Sequence, residues 1–321
     1  MFPIKNIIYH LWGGYYDFTT GGIHPDNLRG GSISKAAQKL FVSQPALSQS
    51  IQLAERELGA PIFDRKHSPL TLTFAGEKYI ASAREFQALE LKLQHEIADI
   101  RQENSGRFRV GISMLRGAAL LPYILPAFSK KYPRVEIKLF EKGSSAVSSL
   151  ITQNIVDLAL LTSANISQKH IVMIPLGIER TMLCAGPNTR LARTVKPGTP
   201  VSIHELEHEP FIAIKPGHGL HELQNNVYAH LRASPKILFE IESAVMGTQL
   251  AAACDALMLC PQIIMRTLPI EGLSLYPLAE EQFNRTLCVG YRHDTYLSRY
   301  MKDFIELSKT CILENLEGTT R

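Results

Sequence analysis

The sequence predicts an α/β chain that opens with a winged helix-turn-helix and continues through one long helix, on three observations. Residues 32–76 hold two short helical patterns, a tight turn and a strand-turn-strand pattern. From Ala75 to about Glu103 there is no Pro and a single Gly, Gly76. From Arg107 onward, strand-like and helix-like runs alternate, which argues a mostly parallel sheet with covering helices.

In the first stretch, Ser34 is placed to cap a helix on which Ala37 and Leu40 face inward, and Phe41 and Val42 make the turn. Ser43 can cap a second helix, Pro45 is tolerated in its first turn, and Leu47, Ile51 and Leu58 continue the apolar face. The expected core is Ala37, Leu40, Val42, Leu47 and Ile51. Small side chains at Ala36 and Ala37 let the two helices cross closely, leaving Gln44, Ser48, Gln49 and Gln52 on an outer face that can address base edges. Ser34, Lys35, Ser43 and Pro45 flank that face. After Gly59 the run IFDRKHSPLTLTFAG reads as a wing whose Arg65 and Lys66 suit phosphate or the minor groove. The competing reading is a helical hairpin with a solvated polar face, against which caps, small residues, polar face and basic wing agree with one another.

The stretch from Ala75 to about Glu103 is expected to form one helix on the order of 40 Å long. Tyr79, Ala83, Phe86, Leu93, Ile97 and Ile100 follow a four-three spacing, so a stripe could pair with a second copy. Asn104, Ser105 and Gly106 break it, and RFRVGIS then alternates into a strand. The chain continues with GISM into LLPYILPAFSKKYP, VEIKLFE into SAVSSLITQ, and VDLALLTS.

The chain has 321 residues, 45% hydrophobic and 20% charged, with a formal net charge of +4, enough for two or three domains and compatible with an anionic partner. Cys184, Cys254, Cys260, Cys288 and Cys311 are scattered without CxxC or zinc-type spacing and read as reduced, mostly buried thiols. The longest apolar candidate, Ala244 to Cys260, is interrupted by Gln249 and Asp255, and the N-terminus lacks the order of a signal peptide. A cytoplasmic location without membrane contact is the expectation.

The residues of the first stretch carry a family signature of the form AAxxLxxSQPALSxxI, ELGxxIFxR and LTxAG. It is present as Ala36, Ala37, Leu40, Ser43 to Ser48 and Ile51, then Glu57 to Gly59, Ile62, Phe63, Arg65, Leu72, Thr73, Ala75 and Gly76. In this the chain resembles the LysR-type transcriptional regulators, from about Ser32 to its end. The resemblance implies double-stranded DNA as partner, a dimerising linker helix, a dimer or tetramer, and RNA polymerase as a further possible partner. It also implies a periplasmic-binding-protein-like effector domain of two lobes joined by two crossing strands. On that basis residues 1–75 are the DNA-binding domain (1–31 atypical) and 76–104 the linker helix. Residues 105–180 with 277–313 make lobe I, and 181–276 lobe II. The chain leaves lobe I near Glu179, returns near Pro277, and ends in a helix at about Ser298 to Leu313.

Two departures stand out. Where the family reads VxxGxGxxxLP, this chain has AAACDALMLCP, so Cys254 and Ala256 replace glycines and a turn that needs positive φ would differ or be strained. Where the family has an amphipathic first helix, this chain has YYDFTTGGIHPDNLRGGS, a poor helix; residues 1 to about 30 are expected to be foreign to the family pattern, through a shifted frame or start site.

Two further residue patterns bear on other chemistry. His204, Glu205 and His208 match HExxH formally, but Pro200 and Pro210 confine the segment, which reads as a short surface helix. Lys215, Pro216, Gly217, His218, Gly219 and His221 form a basic loop after a strand without a nucleotide-loop pattern; it suits a carboxylate or other anion, as does Arg116. By position in the family pattern the inter-lobe pocket would be lined by Ser113, Met114, Leu115, Ser144, Thr162, the Lys215 to His218 loop and Met246. Asp157 is expected to order its own turn. No catalytic constellation, cofactor or metal is expected. The function implied is a DNA-binding regulator sensing a small, anionic metabolite; the alternative is a solute-binding or enzymatic α/β protein with a non-functional N-terminal segment.

Overall fold

The computed structural model describes Ile33, Ala37, Gln38 and residues 43–64, 71–101, 104–162, 170–216, 219–232, 234–268 and 271–317. The chain divides into two compact units, Met1–Leu93 and Gln94–Arg321. Of the sequence expectations, Ser34, Lys35, Leu40, Val42, Arg65, Lys66, His218 and the atypical residues 1–31 lie outside the described residues.

In the first unit, Ile33, Ala37 and Gln38 are helical and helix α1 spans Gln44–Leu58. Ser43 caps α1 by accepting the Ala46 N–H at 3.3 Å, Pro45 sits in the first turn, and Gly59 closes the helix at φ 71°. Leu47, Ile51 and Ala54 pack with Ala37, Ile62, Phe63 and Tyr79 into a small core. Leu58, expected on that face, is instead 38% exposed. It is the last helical residue, and beyond the Gly59 turn Ile62 enters the core where a longer helix would have placed its next apolar residue. Strands β1 (Phe63–Asp64) and β2 (Thr71–Leu72) pair antiparallel as the base of the wing. The Glu55 carboxylate accepts the N–H groups of Ile62 and Phe63 at 2.9 and 3.3 Å, tying the wing to α1. A Cβ on Gly76 would lie 2.0 Å from the Ile62 carbonyl oxygen, so only glycine fits where the next helix meets the wing.

Helix α2 runs Phe74–Ile100, 27 residues. Tyr79 turns into the first unit's core, whereas Phe86, Leu93 and Ile97 of the expected stripe, with Leu89, are exposed. Its last turns belong to the second unit: Asp99 accepts from the Tyr296 hydroxyl at 3.0 Å and from the Arg299 N–H, and buried His95 bonds the Arg107 carbonyl at 2.7 Å.

The second unit holds two five-stranded sheets. Lobe I comprises β3 (Ser105–Ser113), α3 (Met114–Lys131), β4 (Arg134–Lys142), α4 (Ser144–Thr152), β5 (Leu158–Thr162), β6 (Ile171–Glu179), and later β12 (Arg285–Arg292) and α8 (Arg299–Glu317), in strand order β4-β3-β5-β12-β6. Lobe II comprises β7 (Thr181–Ala185), α5 (Arg190–Thr194), β8 (Pro210–Ile214), α6 (Gly219–Tyr228), β9 (Lys236–Ile241), α7 (Ala244–Ala253), β10 (Leu257–Pro261) and β11 (Ser274–Pro277), in order β11-β7-β10-β8-β9. In each sheet one strand opposes its neighbours, β12 in the first and β7 in the second. Each is the first strand after a crossing between the lobes, so it starts where the other strands end. The two crossings bond to each other: Thr181 donates through Oγ1 to the Phe283 carbonyl at 2.6 Å and through N–H to Asn284 at 3.2 Å.

Several expectations resolve here. The stretch Ala244 to Cys260 divides between α7 and β10, and no helix among the described residues is long and apolar enough to cross a membrane. The AAACDALMLCP turn does not place its left-handed residue at Cys254, where φ is −106°, but at Asp255, φ 49°. The Asp255 carboxylate accepts from the N–H and side chain of Asn188, at 2.8 and 3.2 Å, which holds that conformation without a glycine. Asp157 does more than order its own turn. It forms a buried pair with Arg109 through contacts of 2.7, 3.1 and 2.7 Å, joining the segment before β5 to β3. All five cysteines are free thiols, four of them buried.

Candidate functional site

The first candidate surface is α1. Once Leu47, Ile51 and Ala54 face the core, Gln44, Gln49 and Gln52 project into solvent, with Ser48 half-buried between them. Three amides, each able to donate and accept, and one hydroxyl thus share a helix flank, an arrangement suited to hydrogen-bonding base edges. Pro45 is exposed and the Ser43 hydroxyl is engaged in the cap.

The second is a cavity of about 470 Å³ between the lobes. Strand polarity explains its wall. The parallel strands of lobe I end toward it, so Thr162, Ser144 and the first turn of α3 reach it, as expected of an α/β sheet. The reversed strand β12 begins there, which brings in Gln282, Asn284 and Arg285. From lobe II comes one face of α6, including Gly219 and Glu222 in its first turns and Asn226 near its end. The lobes are close: a Cβ on Gly219 would sit 2.4 Å from Ser144 Cβ.

Of the expected pocket residues, the cavity gathers Arg116, Ser144 and Thr162. Ser113, Met114, Leu115, Lys215 and Met246 are not on its wall. Ser113 is buried at the end of β3, Met114 is 69% exposed, and Leu115 packs toward the core. Lys215 meets Glu242 at 3.6 Å, and Met246 is exposed. Sequence reasoning missed Arg285 and Asn284, because the rule that ligands gather at strand C-termini says nothing of a reversed strand's beginning. The basic loop is partly structural: His221 bonds the Ile214 carbonyl, and Gln224 accepts the Ile214 N–H at 2.7 Å.

A charged cluster underlies the cavity. Glu179, the last residue of β6 and 1% exposed, lies opposite Arg285 in the β6–β12 ladder and accepts from it at 2.9 Å. Arg116, with 7% of its side chain exposed, approaches the same carboxylate oxygen only to 3.6 Å. Its Nε and the second oxygen of Glu179 have no hydrogen-bond partner. Burial pulls the Arg116 guanidinium below its ordinary value; Glu179 opposes that shift and Arg285 adds to it.

The HELEH segment has a different role. Residues Ile203–Leu206 form a 3₁₀ turn in which Glu205 accepts the Ser202 N–H at 2.9 Å as a capping box, and His208 has a left-handed φ of 73°. The two histidines do not share a helical face. No group of three His, Cys, Asp or Glu able to hold a metal occurs among the described residues.

Comparison with known proteins bears on both surfaces. Residues 28–77 match the family described as bacterial regulatory helix-turn-helix protein, lysR family, and residues 101–310 match the LysR substrate binding domain. The chain is 27% identical over 302 residues to the HTH-type transcriptional regulator YcgK of Bacillus subtilis (strain 168), covering 89% of this chain and 92% of that one. It is 28% identical over 289 residues to the HTH-type transcriptional regulator CysB of Haemophilus influenzae, covering 86% and 84%. Among solved structures it is similar in fold to full-length CbnR complexed with target DNA, at TM-score 0.61 and 16% identity over 96% of this chain and 99% of that one. A full-length OxyR from Pseudomonas aeruginosa aligns at TM-score 0.66 and 17% identity over 96% and 94%. With a helix-turn-helix match over residues 28–77 and a substrate-binding-domain match over residues 101–310, the chain belongs to the LysR family of DNA-binding transcriptional regulators with an effector-binding domain.

Proposed function

We propose that this regulator works as a homo-oligomer in the cytoplasm and switches between DNA-bound arrangements when a small anionic metabolite fills the inter-lobe cavity. One observation carries the proposal: the N-terminal turns of α3, α4 and α6 converge on a cavity that has Arg116 on its wall. Helix N-termini carry partial positive charge and unsatisfied N–H groups, and a buried guanidinium adds a full charge, so the space favours an acid group. A ligand that bridges the lobes binds the closed arrangement better than the open one and shifts the population toward it. The docked last turns of α2 then convey the change. The exposed apolar stripe of α2 is assigned to the second copy.

In the division proposed, residues 1–75 read DNA, 76–104 link, 105–180 with 277–313 form lobe I, and 181–276 form lobe II. Gln44, Ser48, Gln49 and Gln52 address bases, while Ser34, Lys35, Arg65 and Lys66 address phosphates. The test is gel shift on the DNA upstream of the protein's own gene. Gln44→Ala is expected to weaken specific binding by about 1–3 kcal/mol and leave binding to unrelated DNA nearly unchanged. Equal loss on both DNAs would defeat the assignment of α1 to base reading.

A further inference from the structure

The fixed charges around the cavity constrain its ligand beyond the sign of its charge. Three buried or nearly buried ionic groups lie at its base: Arg116, Arg285 and Glu179. Arg285 and Glu179 are matched at 2.9 Å, face to face in the ladder that joins the two crossing strands. Arg116 is the remainder, a guanidinium more than nine-tenths buried that meets Glu179 at 3.6 Å and has an unpartnered Nε. A desolvated cation without a close partner is unfavourable, and an anion that completes it relieves one charge and no more. A second anionic charge in the same space would find Arg285 already held by Glu179. Glu222, an exposed carboxylate, also stands on the wall.

The rest of the wall specifies the body of the ligand. Ser144, Ser148 and Thr162 line the cavity with hydroxyls and Asn226 with a carboxamide. Half-buried hydroxyls and an amide on a cavity wall lose hydration when a ligand covers them, and they discriminate against a body that cannot replace those bonds. The volume of about 470 Å³ suits a metabolite rather than a bare ion.

We infer that the cavity selects a monoanion, a single carboxylate on a hydroxyl- or amide-bearing chain, with its acid group seated on Arg116. The inference rests on the proposed anion-binding function of the cavity and sharpens it to a charge and a chemical class. Ligand binding replaces the long contact of Arg116 with Glu179 by a close one with the ligand, while Glu179 remains with Arg285 at the crossing.

Three six-carbon acids separate the variables: gluconate carries one charge on a polyol, glucarate two charges on the same polyol, and hexanoate one charge on an alkyl chain. Titration calorimetry and thermal shift on the full-length protein are expected to show gluconate binding about tenfold or more tighter than either of the others. Glu179→Gln, which raises the local charge by one, is expected to reverse the order of gluconate and glucarate. Arg116→Gln is expected to abolish binding of both, and Arg116→Lys to retain part of the gluconate response. If glucarate binds wild type more tightly than gluconate and Arg116→Gln abolishes it, the anion cavity stands and the monoanion inference falls. Hexanoate equal to gluconate overturns the polar-body assignment. If none of the three binds wild type, or binding survives Arg116→Gln, both the inference and the cavity's proposed function fall. Wild-type ranking alone decides the charge class, should a variant fail to fold.

Discussion

Helix α1 presents its polar face from Gln44 to Gln52, one continuous stretch, whereas the cavity draws on Arg116, Ser144, Thr162, Asn226 and Arg285, contributed by both lobes. The amides of α1 stand in water and are placed by one helix and its cap; the cavity residues range from buried Arg116 to exposed Asn226 and are placed by the strands and helices of both lobes. An exposed reading face tolerates exchange of its side chains without disturbing the fold. A buried charged cluster does not, because each member's energy depends on the others. The supporting cores differ as well. Among the described residues the α1 core has seven buried side chains, while the second unit has one large continuous cluster and two smaller ones.

The largest expected effect falls on the smaller core. Ile51, 1% exposed at the centre of that cluster, should lose about 2–5 kcal/mol of stability on truncation to Ala. Operator binding would then vanish in gel shift while thermal stabilisation by a carboxylate ligand persists. Loss of both together would show that the two units do not respond separately. A smaller effect is expected from Gly219→Ala. Its Cβ would press on Ser144 across the cleft and hold the lobes apart, weakening ligand binding about tenfold, or about 1.4 kcal/mol, with specific DNA binding in the ligand-free state retained. Unchanged ligand affinity in that variant would place the closure point elsewhere.

The smallest is a titration. Tyr79, in the α1 core, has its phenol pushed up to about 12, first by burial and then by the Glu57 carboxylate. An acid raised in the folded state from an unfolded value near 10 leaves stability intact below about pH 10 and erodes it as pH rises through about 12. Difference absorbance at alkaline pH should therefore lose one late-titrating phenol in Tyr79→Phe, leaving those of Tyr300 and Tyr228, which burial also pushes up. Ionisation of that phenol near 10 would mean that the core admits water.

Local features were legible in the sequence because local chemistry makes them. The Ser43 hydroxyl, Pro45 and Gly59 act within a few residues of themselves, and Leu47 and Ile51 follow helical spacing, so α1 could be drawn with its polar face already assigned. Leu58 failed where helical spacing stops being valid, one residue before the left-handed turn. The structural role of Asp157 was legible but its partner Arg109, on another strand, was not, and the substituted glycines of the lobe II turn are accommodated because Asp255 takes the left-handed position with help from Asn188. The cavity was legible only in part. Arg116 follows a strand that the pattern locates, but Arg285 stands at the start of a strand whose direction no local signal reveals.

The sequence by itself determined the family, the polar face of α1, the long helix and the alternation of strands and helices, since these rest on caps, periodicity and a motif of contiguous residues. Tertiary structure decided what the cavity can hold. The reversal of β12 sets Arg285 against Glu179, and that pairing leaves Arg116 as the cation without a close partner. The physical reason is that a buried charge is defined by its neighbours in space, and the strand crossings choose those neighbours.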